Sequence, residues 1–91
     1  MQLQWTSKAV SDLARLYDFL ALVNRPSAAR TVRQLTAAPT TLLMNPRIGE
    51  RLDEYEPRDV RRLLVGHYEF RYEIIASTLY VLRIWHSREC R

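Results

Sequence analysis

Apolar residues recur along the first quarter of the chain at the spacing of a helix with one buried face. This face has five members: Ala9, Leu13, Leu16, Tyr17 and Leu20. The polar residues between them lie on the other side, which is the pattern of an amphipathic helix packed on a core. The hydroxyls of Thr6 and Ser7 can accept hydrogen bonds from the first N–H groups of such a helix. The pattern therefore predicts a helix that begins near Ser7 and ends near Val23.

A second apolar stripe follows a turn at residues 24–27. It is formed by Ala28, Val32, Leu35, Leu42 and Leu43. Pro26 suits the first turn of a helix, whereas Pro39 lacks a backbone donor and clashes with the preceding turn, so we expect a kink or a restart there. Asn45 and Pro46 favour termination. Two amphipathic helices joined by so short a turn form an α-helical hairpin.

Alternation with a period of two marks both ends of the chain. Leu3 and Trp5 alternate with glutamines and predict a short first strand. The last third contains three runs rich in β-branched and aromatic residues, at residues 60–65, 68–75 and 79–86. Between the helices and these runs we expect a loop with one short strand around residues 51–54. The fold class is therefore α+β: a strand, an α-helical hairpin, and a mainly antiparallel three-stranded meander that completes one sheet.

The turn at Gly66 and His67 determines the pairing of the first two strands of the meander. A two-residue loop with Gly first suits a type II′ turn, which places Arg62 opposite Arg71. The register that buries one apolar layer then places Arg71 opposite Arg83. That layer consists of Tyr68, Phe70, Tyr72, Ile74, Tyr80, Leu82 and Ile84. The opposite face carries Arg62, Arg71 and Arg83, called the arginine row below, surrounded by Glu69, Glu73 and Trp85.

Three like charges opposite one another on a sheet lower its stability unless other groups compensate for them. The arginine row therefore has two interpretations. In one, Glu69 and Glu73 lie diagonally between the arginines and make the face a solvated, neutral surface. In the other, the row binds an external anion or a partner protein. The sequence leaves both interpretations open.

Length and composition limit the class of protein. The 91 residues suffice for one domain, 1–91, and 47% of them are apolar, which excludes a disordered chain. The net charge is +4, and every cation except Lys8 is an arginine, whose planar fork pairs with carboxylate or phosphate. The sequence has a single thiol, Cys90, and no apolar run long enough to span a membrane. We therefore expect a cytoplasmic protein without a disulfide.

Few residues have the spacing of a catalytic or metal site. The sequence has no phosphate-binding glycine loop, no nucleophile elbow and no set of His, Asp or Glu at metal-ligand spacing, so we expect no cofactor and no metal. His86 closes the last strand, and Arg88 follows it. Together with Glu69 they could in principle cleave RNA without a metal, because His titrates near neutral pH and Arg holds phosphate. The other interpretation is that His86 only hydrogen-bonds a neighbouring loop.

Several short motifs occur in a fixed order along nearly the whole chain. In the first half they are Trp5-Thr6 with Ala9, Asp12 and Leu13, then Ala28-Ala29, then Leu42 with Asn45-Pro46-Arg47-Ile48-Gly49. In the second half they are residues 61–68, 72–74 and 81–86, followed by Arg88. In order and spacing these motifs resemble the ParE/RelE superfamily of bacterial toxins, and more closely its ParE branch. The resemblance implies the same fold that the periodicity predicts.

The resemblance to ParE also implies a partner and a target. ParE toxins of type II toxin–antitoxin systems are neutralised by an adjacently encoded antitoxin, ParD-like or similar, with which we expect a hetero-oligomer. They inhibit DNA gyrase, and so replication and growth, and they stabilise plasmids. The candidate target-binding residues are Arg62, Arg71, Arg83, Trp85, His86 and Arg88. The candidate antitoxin-binding residues are Leu13, Tyr17, Leu20, Arg62, Arg71 and Arg83.

The RelE branch contains ribosome-dependent mRNA endonucleases and supplies the alternative function. In those enzymes the position after the Tyr of the third strand is a catalytic Arg, whereas here Tyr68 is followed by Glu69. An RNA-cleaving Tyr typically lies in a tail beyond the last strand, and this sequence ends at Arg91 without one. We therefore favour a gyrase inhibitor with no catalytic residue. Nuclease chemistry through Glu69, His86 and Arg88 is the alternative.

Overall fold

The computed structural model describes residues 1–87, and its two helices lie where the periodicity predicts them. α1 spans Ser7–Ala21 and α2 spans Arg25–Met44. At the start of α1 the Thr6 hydroxyl accepts a hydrogen bond from the Ala9 N–H at 3.2 Å. At the start of α2 the Asn24 side chain accepts one from the Ser27 N–H at 3.0 Å. These caps satisfy N–H groups that have no partner within a helix, and so they determine where each helix begins.

The remaining elements form one five-stranded mixed sheet. The strands are β1 Gln2–Trp5, β2 Glu50–Arg51, β3 Asp59–Val65, β4 Tyr68–Ile75 and β5 Thr78–His86. Their order is β1-β5-β4-β3-β2, with β1 parallel to β5 and all other neighbours antiparallel. The predicted α+β class is therefore confirmed. The short strand expected around residues 51–54 is confirmed only at Arg51, because the chain then enters a 3-10 helix at Asp53–Tyr55.

α2 continues as one helix through Pro39, where the sequence predicted a kink or a restart. Pro39 is buried, and the helix runs on to Met44. The loss of one backbone donor is offset because the ring is removed from water. The helix ends at Asn45, whose N–H donates to the Leu42 carbonyl at 3.1 Å. The expected restart is not observed.

The core lies between the helical hairpin and one face of the sheet. Its buried residues are Ala9, Leu16, Leu35, Leu42, Phe70, Tyr72, Leu79, Val81 and Ile84. Leu3 and Trp5 of β1 pack against this cluster, as their alternation predicted. A fully buried Leu, Ile or Phe side chain contributes about 1.5 to 3 kcal/mol, so this layer is the main source of stability.

The pairing of β3 with β4 is the one that the intervening turn predicts. Arg62 lies opposite Arg71, and Val65 lies opposite Tyr68. Gly66 has a φ of 60°, a left-handed value that Gly adopts without strain. His67, the next residue, does not have a positive φ. The loop therefore has the backbone pattern expected of a type II′ turn.

The pairing of β4 with β5 departs from the prediction at one residue. Arg71 lies opposite Arg83, as predicted. The next pair joins Tyr72 to Val81, so Leu82 is an extra residue in β5. Such a β-bulge places two residues of one strand against one residue of its partner and redirects the side chains beyond it.

The bulge decides which side chains of β5 enter the core. Leu79 and Val81 are buried before it, and Ile84 is buried after it. The prediction that Tyr80 and Leu82 line the core is therefore wrong, because it assumed regular alternation along the whole strand. Ile84 still faces inward, as predicted. It lies beyond the bulge, where the extra residue has brought the alternation of β5 back into agreement with the predicted register.

Candidate functional site

The arginine row crosses three neighbouring strands, and each of its members contacts a carboxylate. Arg62, Arg71 and Arg83 lie opposite one another on β3, β4 and β5. The carboxylates belong to Asp12, Glu50 and Glu69. Because each guanidinium group has an acidic partner, the row is a neutralised surface and not an isolated cluster of cations.

Glu69 is the buried centre of this surface. Its side chain is 2% exposed, and Arg71 Nη2 donates to its Oε2 at 2.9 Å. Arg62 Nη1 lies 3.8 Å from Glu69 Oε1, while Arg62 Nε donates to Glu50 Oε1 at 2.6 Å. One carboxylate thus interacts with arginines of two neighbouring strands. This arrangement lets the sheet tolerate like charges placed opposite one another.

Asp12 of α1 binds the third arginine and caps the edge of β5. Arg83 Nε donates to Asp12 Oδ2 at 2.8 Å, and the Ile84 N–H donates to the same oxygen at 2.9 Å. β1 pairs with β5 only as far as Val81, so the side chain of α1 takes the place of a strand partner. Burial alone would raise the pKa of the Asp12 carboxyl, but these hydrogen bonds and the charges of Arg83 and Arg15 hold the pKa below its usual value.

Two aromatic rings separate the guanidinium groups on this face. Arg71 lies between Tyr55 and Trp85, with its Cζ 5.7 Å and 4.8 Å from the two ring centroids. Arg83 Cζ also lies over Trp85, at 5.5 Å, and Arg58 Cζ lies over Tyr55, at 5.8 Å. Trp85 itself is only 6% exposed. These five residues form the Arg–aromatic ladder, in which each cation is stabilised by the negative face of a ring.

Glu73 binds an arginine outside the row. Arg58 donates to both of its carboxylate oxygens, at 2.7 Å and 2.9 Å. The hydrogen bonds and charge of Arg58 hold the pKa of the Glu73 carboxyl below its usual value. Of the interpretation in which Glu69 and Glu73 neutralise the row, only the part that concerns Glu69 agrees with the structure, because Glu73 is bound by Arg58 of the preceding loop. This ion pair instead holds the loop against the sheet.

Glu69 and His86, two candidates for nuclease chemistry, lie on opposite faces of the sheet. Glu69 shares a face with Arg71, whereas His86 lies opposite Tyr68 and faces the other way. The His86 ring contacts the Tyr68 ring edge-on, with centroids 5.3 Å apart. The structure therefore does not bring this carboxylate and this imidazole together. Arg88, the third candidate, lies outside the described residues.

The three antitoxin-binding candidates of α1 differ in exposure. Leu13 packs against the core, Leu20 is half-buried, and Tyr17 is 37% exposed. Near the C-terminal end of α1 and in the turn that follows it, three large apolar side chains are exposed: Phe19, Leu22 and Val23. Three strongly exposed apolar side chains therefore lie at the tip of the hairpin, while Val10 and Met44, which are also exposed, lie elsewhere on the two helices.

Residues 1–87 contain neither a candidate metal site nor a candidate membrane-spanning helix. In that range no group of three or more His, Cys, Asp or Glu side chains is placed to hold a metal ion. No helix in the described part of the chain is long and apolar enough to cross a membrane. The chemistry of the open face is that of arginine, carboxylate and aromatic groups.

Four members of this surface were not identified from the sequence: Asp12, Glu50, Tyr55 and Arg58. Asp12 lies 71 positions from Arg83, so no local pattern connects the two. The sequence pattern placed Asp12 on the polar side of α1, and this prediction is wrong, because Asp12 is only 4% exposed. Asp12 follows Ala9 by three residues and precedes Leu16 by four, which puts it on the buried side, where a carboxylate needs a cation. Tyr55 stands in a loop without periodicity and carries no such signal.

The similarity to known proteins extends over almost the whole chain. The family profile described as the ParE toxin of the type II toxin–antitoxin system parDE matches residues 3–90. Among solved structures, a chain of the chromosomal ParDE toxin–antitoxin system from P. aeruginosa is similar, with a TM-score of 0.78 and 25% sequence identity. The alignment covers 94% of this chain and 95% of that chain. No curated protein is similar at a significant level.

Proposed function

Since the chain belongs to the ParE toxin family of type II toxin–antitoxin systems, we propose that it inhibits DNA gyrase by binding it, and so stops replication and growth, without cleaving nucleic acid. The family match over residues 3–90 supports a toxin that has an antitoxin partner. The proposed place of action is the cytoplasm, where gyrase works. A plasmid that carried the pair would be stabilised, because cells that lost it would also lose the antitoxin.

One observation favours binding over RNA cleavage: Glu69 and His86 lie on opposite faces of the sheet. General acid–base catalysis requires both groups within hydrogen-bond reach of one substrate. In addition, the Glu69 side chain is 2% exposed and bonded to Arg71, so its carboxylate is withheld from a reacting hydroxyl. The ion pair of Glu69 with Arg71 supports a structural role, in which it holds a surface that contacts a partner.

The Arg–aromatic ladder, extended by Arg62, is the proposed contact with gyrase. Arg62 and Arg83 keep 39% and 44% of their side chains exposed although both are paired. Arginine and aromatic residues are enriched among the residues that dominate the energy of protein interfaces. Their positions are already held by ion pairs and rings, which reduces the entropy lost when a partner binds.

In this proposal a ParD-like antitoxin, encoded beside the toxin, neutralises it in a hetero-oligomer. The antitoxin-binding candidates lie on two sides of the sheet, since Leu13, Tyr17 and Leu20 are on α1 and the arginine row is on the open face. An antitoxin that contacts both sides must wrap around the toxin. An extended segment combined with a helix is a common way to do so.

The test is a supercoiling assay with purified gyrase and relaxed plasmid, run beside a ribosome-dependent mRNA cleavage assay. We expect the toxin to stop supercoiling and to leave mRNA intact, and we expect the antitoxin to restore supercoiling. Cleavage of translated mRNA together with normal supercoiling would establish the RelE-like endonuclease instead.

A pair of matched variants tests the proposed contact surface. Arg62→Gln should weaken gyrase inhibition about tenfold, as truncation of an important interface residue does. Arg51→Gln is the control, because Arg51 is similarly exposed, at 43%, and lies on the neighbouring strand. Neither change should move the unfolding midpoint far, because the Arg62–Glu50 pair is exposed and the buried Glu69 keeps its bond to Arg71 when Arg62 is replaced. Equal inhibition by both variants would exclude Arg62 from the contact.

A further inference from the structure

The helical hairpin carries a second basic surface that the proposed gyrase contact does not use. Arg25, Arg30 and Arg33 are exposed on the first half of α2 and form the α2 arginine stripe. α2 contains no acidic residue. Among residues 1–87 no carboxylate forms an ion pair with any of the three, and Arg30 Nη2 donates only to the Ser27 hydroxyl, at 3.1 Å.

The stripe contrasts with the arginines of the sheet and of the loops beside it. There, six arginines each lie within 4.0 Å of a carboxylate: Arg51, Arg58, Arg61, Arg62, Arg71 and Arg83. Because opposite charges so close together largely cancel, they add little to the field that an approaching partner meets. Within the described part of the chain, the densest uncompensated positive charge is therefore on α2.

Local energetics do not account for the stripe. The N-terminus of a helix carries a partial positive charge, so a cation in the first turn is unfavourable. Arg25 is the first residue of α2, and no acidic side chain of the helix offsets it. An acidic partner from outside would remove this penalty.

Exposed apolar side chains adjoin the stripe. Phe19, Leu22 and Val23 are 68%, 85% and 88% exposed. Leu22 and Val23 belong to the turn that leads directly into Arg25. A surface that is apolar at the tip and basic along the helix complements a segment with apolar residues on one side and acidic residues on the other. A second copy of this chain bound symmetrically does not fit, because it would bring two positive stripes together.

We propose that the hairpin tip and the α2 arginine stripe are the docking surface for an acidic, amphipathic segment of the cognate antitoxin. This inference rests on the proposed function in that it requires an antitoxin. It moves the main electrostatic contact from the arginine row, whose charges are cancelled, to α2. Complementary charge mainly raises association rates, so the stripe lets the antitoxin capture the toxin quickly.

The experiment compares two double variants that remove the same charge. Arg30→Gln/Arg33→Gln alters the stripe. Lys8→Gln/Arg47→Gln removes two cations that lie outside it and also form no ion pair among residues 1–87. Gln has a helix propensity close to that of Arg, and circular dichroism checks that the fold is kept. Association with the antitoxin encoded beside the toxin is followed by stopped flow at low and high salt.

Arg30→Gln/Arg33→Gln should lower the association rate about tenfold at low salt and flatten its salt dependence. The control variant should stay within about twofold of the unaltered toxin. Equal rates for the two variants, or association of the unaltered toxin that does not depend on salt, would overturn the proposal.

The supercoiling assay separates this inference from the proposed target. Both double variants should inhibit gyrase as strongly as the unaltered toxin does. Loss of gyrase inhibition in Arg30→Gln/Arg33→Gln, with normal antitoxin association, would assign the stripe to the target and overturn the docking proposal. If Arg30→Gln/Arg33→Gln slows association with the antitoxin, and the unaltered toxin does not inhibit gyrase, the docking surface is supported. The same result overturns gyrase as the target.

Discussion

Arg71 and Glu69 depend on each other in the middle of the sheet. The Arg71 side chain is 18% exposed, and its Nη1 donates to the Tyr55 hydroxyl at 3.0 Å in addition to the bond from Nη2 to Glu69. Its Nε is buried without a hydrogen-bond partner among residues 1–87. The rings of Tyr55 and Trp85 take the place of water around the guanidinium group. The buried carboxylate is therefore the main polar group that keeps Arg71 in place.

Replacing Arg71 with Met should lower the free energy of unfolding by about 3 kcal/mol, because the buried Glu69 carboxylate loses its closest cation. Replacing both partners, Arg71→Met with Glu69→Gln, should recover more than half of the loss, because no unpaired charge then remains inside. Urea denaturation of the three proteins measures both effects. An unchanged midpoint in Arg71→Met would show that the other partners of Glu69, Arg62 at 3.8 Å among them, suffice without Arg71.

Ala76 occupies a backbone conformation that suits Gly. Its φ is 52° in the turn between β4 and β5, a left-handed value that costs a residue with a Cβ about 1 kcal/mol. Ala76→Gly should therefore raise the free energy of unfolding by up to about 1 kcal/mol, less the entropy that Gly adds to the unfolded chain. Gly66→Ala is the reverse change, since its φ is 60° and no atom lies within 4 Å of the new Cβ. Melting temperatures that shift in the same direction would contradict the strain argument.

At the scale of the elements, periodicity and turn chemistry predicted both helices, the three long strands and the pairing of the arginine row. They did not predict which side chains are buried in the part of β5 before the bulge. Both faces of that strand are apolar, so alternation alone cannot choose between Tyr80 with Leu82 and Leu79 with Val81. The bulge that decides the choice leaves no mark in the sequence pattern, because it depends on how β5 packs against its neighbours.

The arginine row and its neutralisation by Glu69 were open to prediction from the sequence, but the other two carboxylates that bind the row were not. The carboxylates that bind Arg62 and Arg83 come from other elements, Glu50 of β2 and Asp12 of α1. The ring of Tyr55 reaches the row from a 3-10 helix with no periodic pattern. Long-range side-chain contacts of this kind follow from the fold and are not encoded locally.

Tyr72 fastens the loop between α2 and β2 to the sheet. Its hydroxyl accepts a hydrogen bond from the Gly49 N–H at 3.0 Å and donates one to the Pro46 carbonyl at 2.8 Å. A Cβ at Gly49 would lie 2.5 Å from this hydroxyl, so the approach requires Gly. Burial raises the pKa of the Tyr72 hydroxyl.

Tyr72→Phe should lower the free energy of unfolding by about 1 to 3 kcal/mol, because it leaves the Gly49 N–H buried without its partner. Tyr80→Phe, which alters a half-buried tyrosine on the open face, is the control and should change it by at most about 0.5 kcal/mol. Hydrogen exchange at the Gly49 amide should become faster in Tyr72→Phe alone. Exchange at the original rate would mean that Arg61, which donates to the Gly49 carbonyl at 3.0 Å, holds the loop instead.

For the whole molecule, two carboxylates limit the pH range of stability. Burial acts to raise the pKa of Asp12, but its hydrogen bonds to Arg83 and Ile84 prevail, and Arg58 lowers the pKa of Glu73. Such a group stabilises the fold above its unfolded pKa, about 4, and loses this contribution as the pH falls through its lower folded pKa. The fold should therefore lose stability as the pH drops below about 4.

Asp12→Asn/Glu73→Gln should be less stable than the unaltered chain at neutral pH but lose less further stability between about pH 5 and about pH 2. Asp18→Asn/Glu54→Gln alters two exposed carboxylates and should keep the original pH profile. Urea unfolding midpoints across this range give both profiles. A slope that is equally steep in Asp12→Asn/Glu73→Gln would assign the acid sensitivity to other groups.

Because β1 pairs with β5, the order in which the chain is translated delays the completion of the sheet. The Thr6 hydroxyl and the Val81 carbonyl that accepts its hydrogen bond are 75 positions apart, and β1 pairs only with residues 78–81. The chain leaves the ribosome from its N-terminus, so β1, α1 and α2 emerge before β5, and contacts that close so long a loop form late. The nascent toxin cannot complete its sheet until its last strand emerges. The α2 arginine stripe emerges early in that interval, so an antitoxin already present would meet the residues that we propose as its docking site before the toxin is able to fold and act.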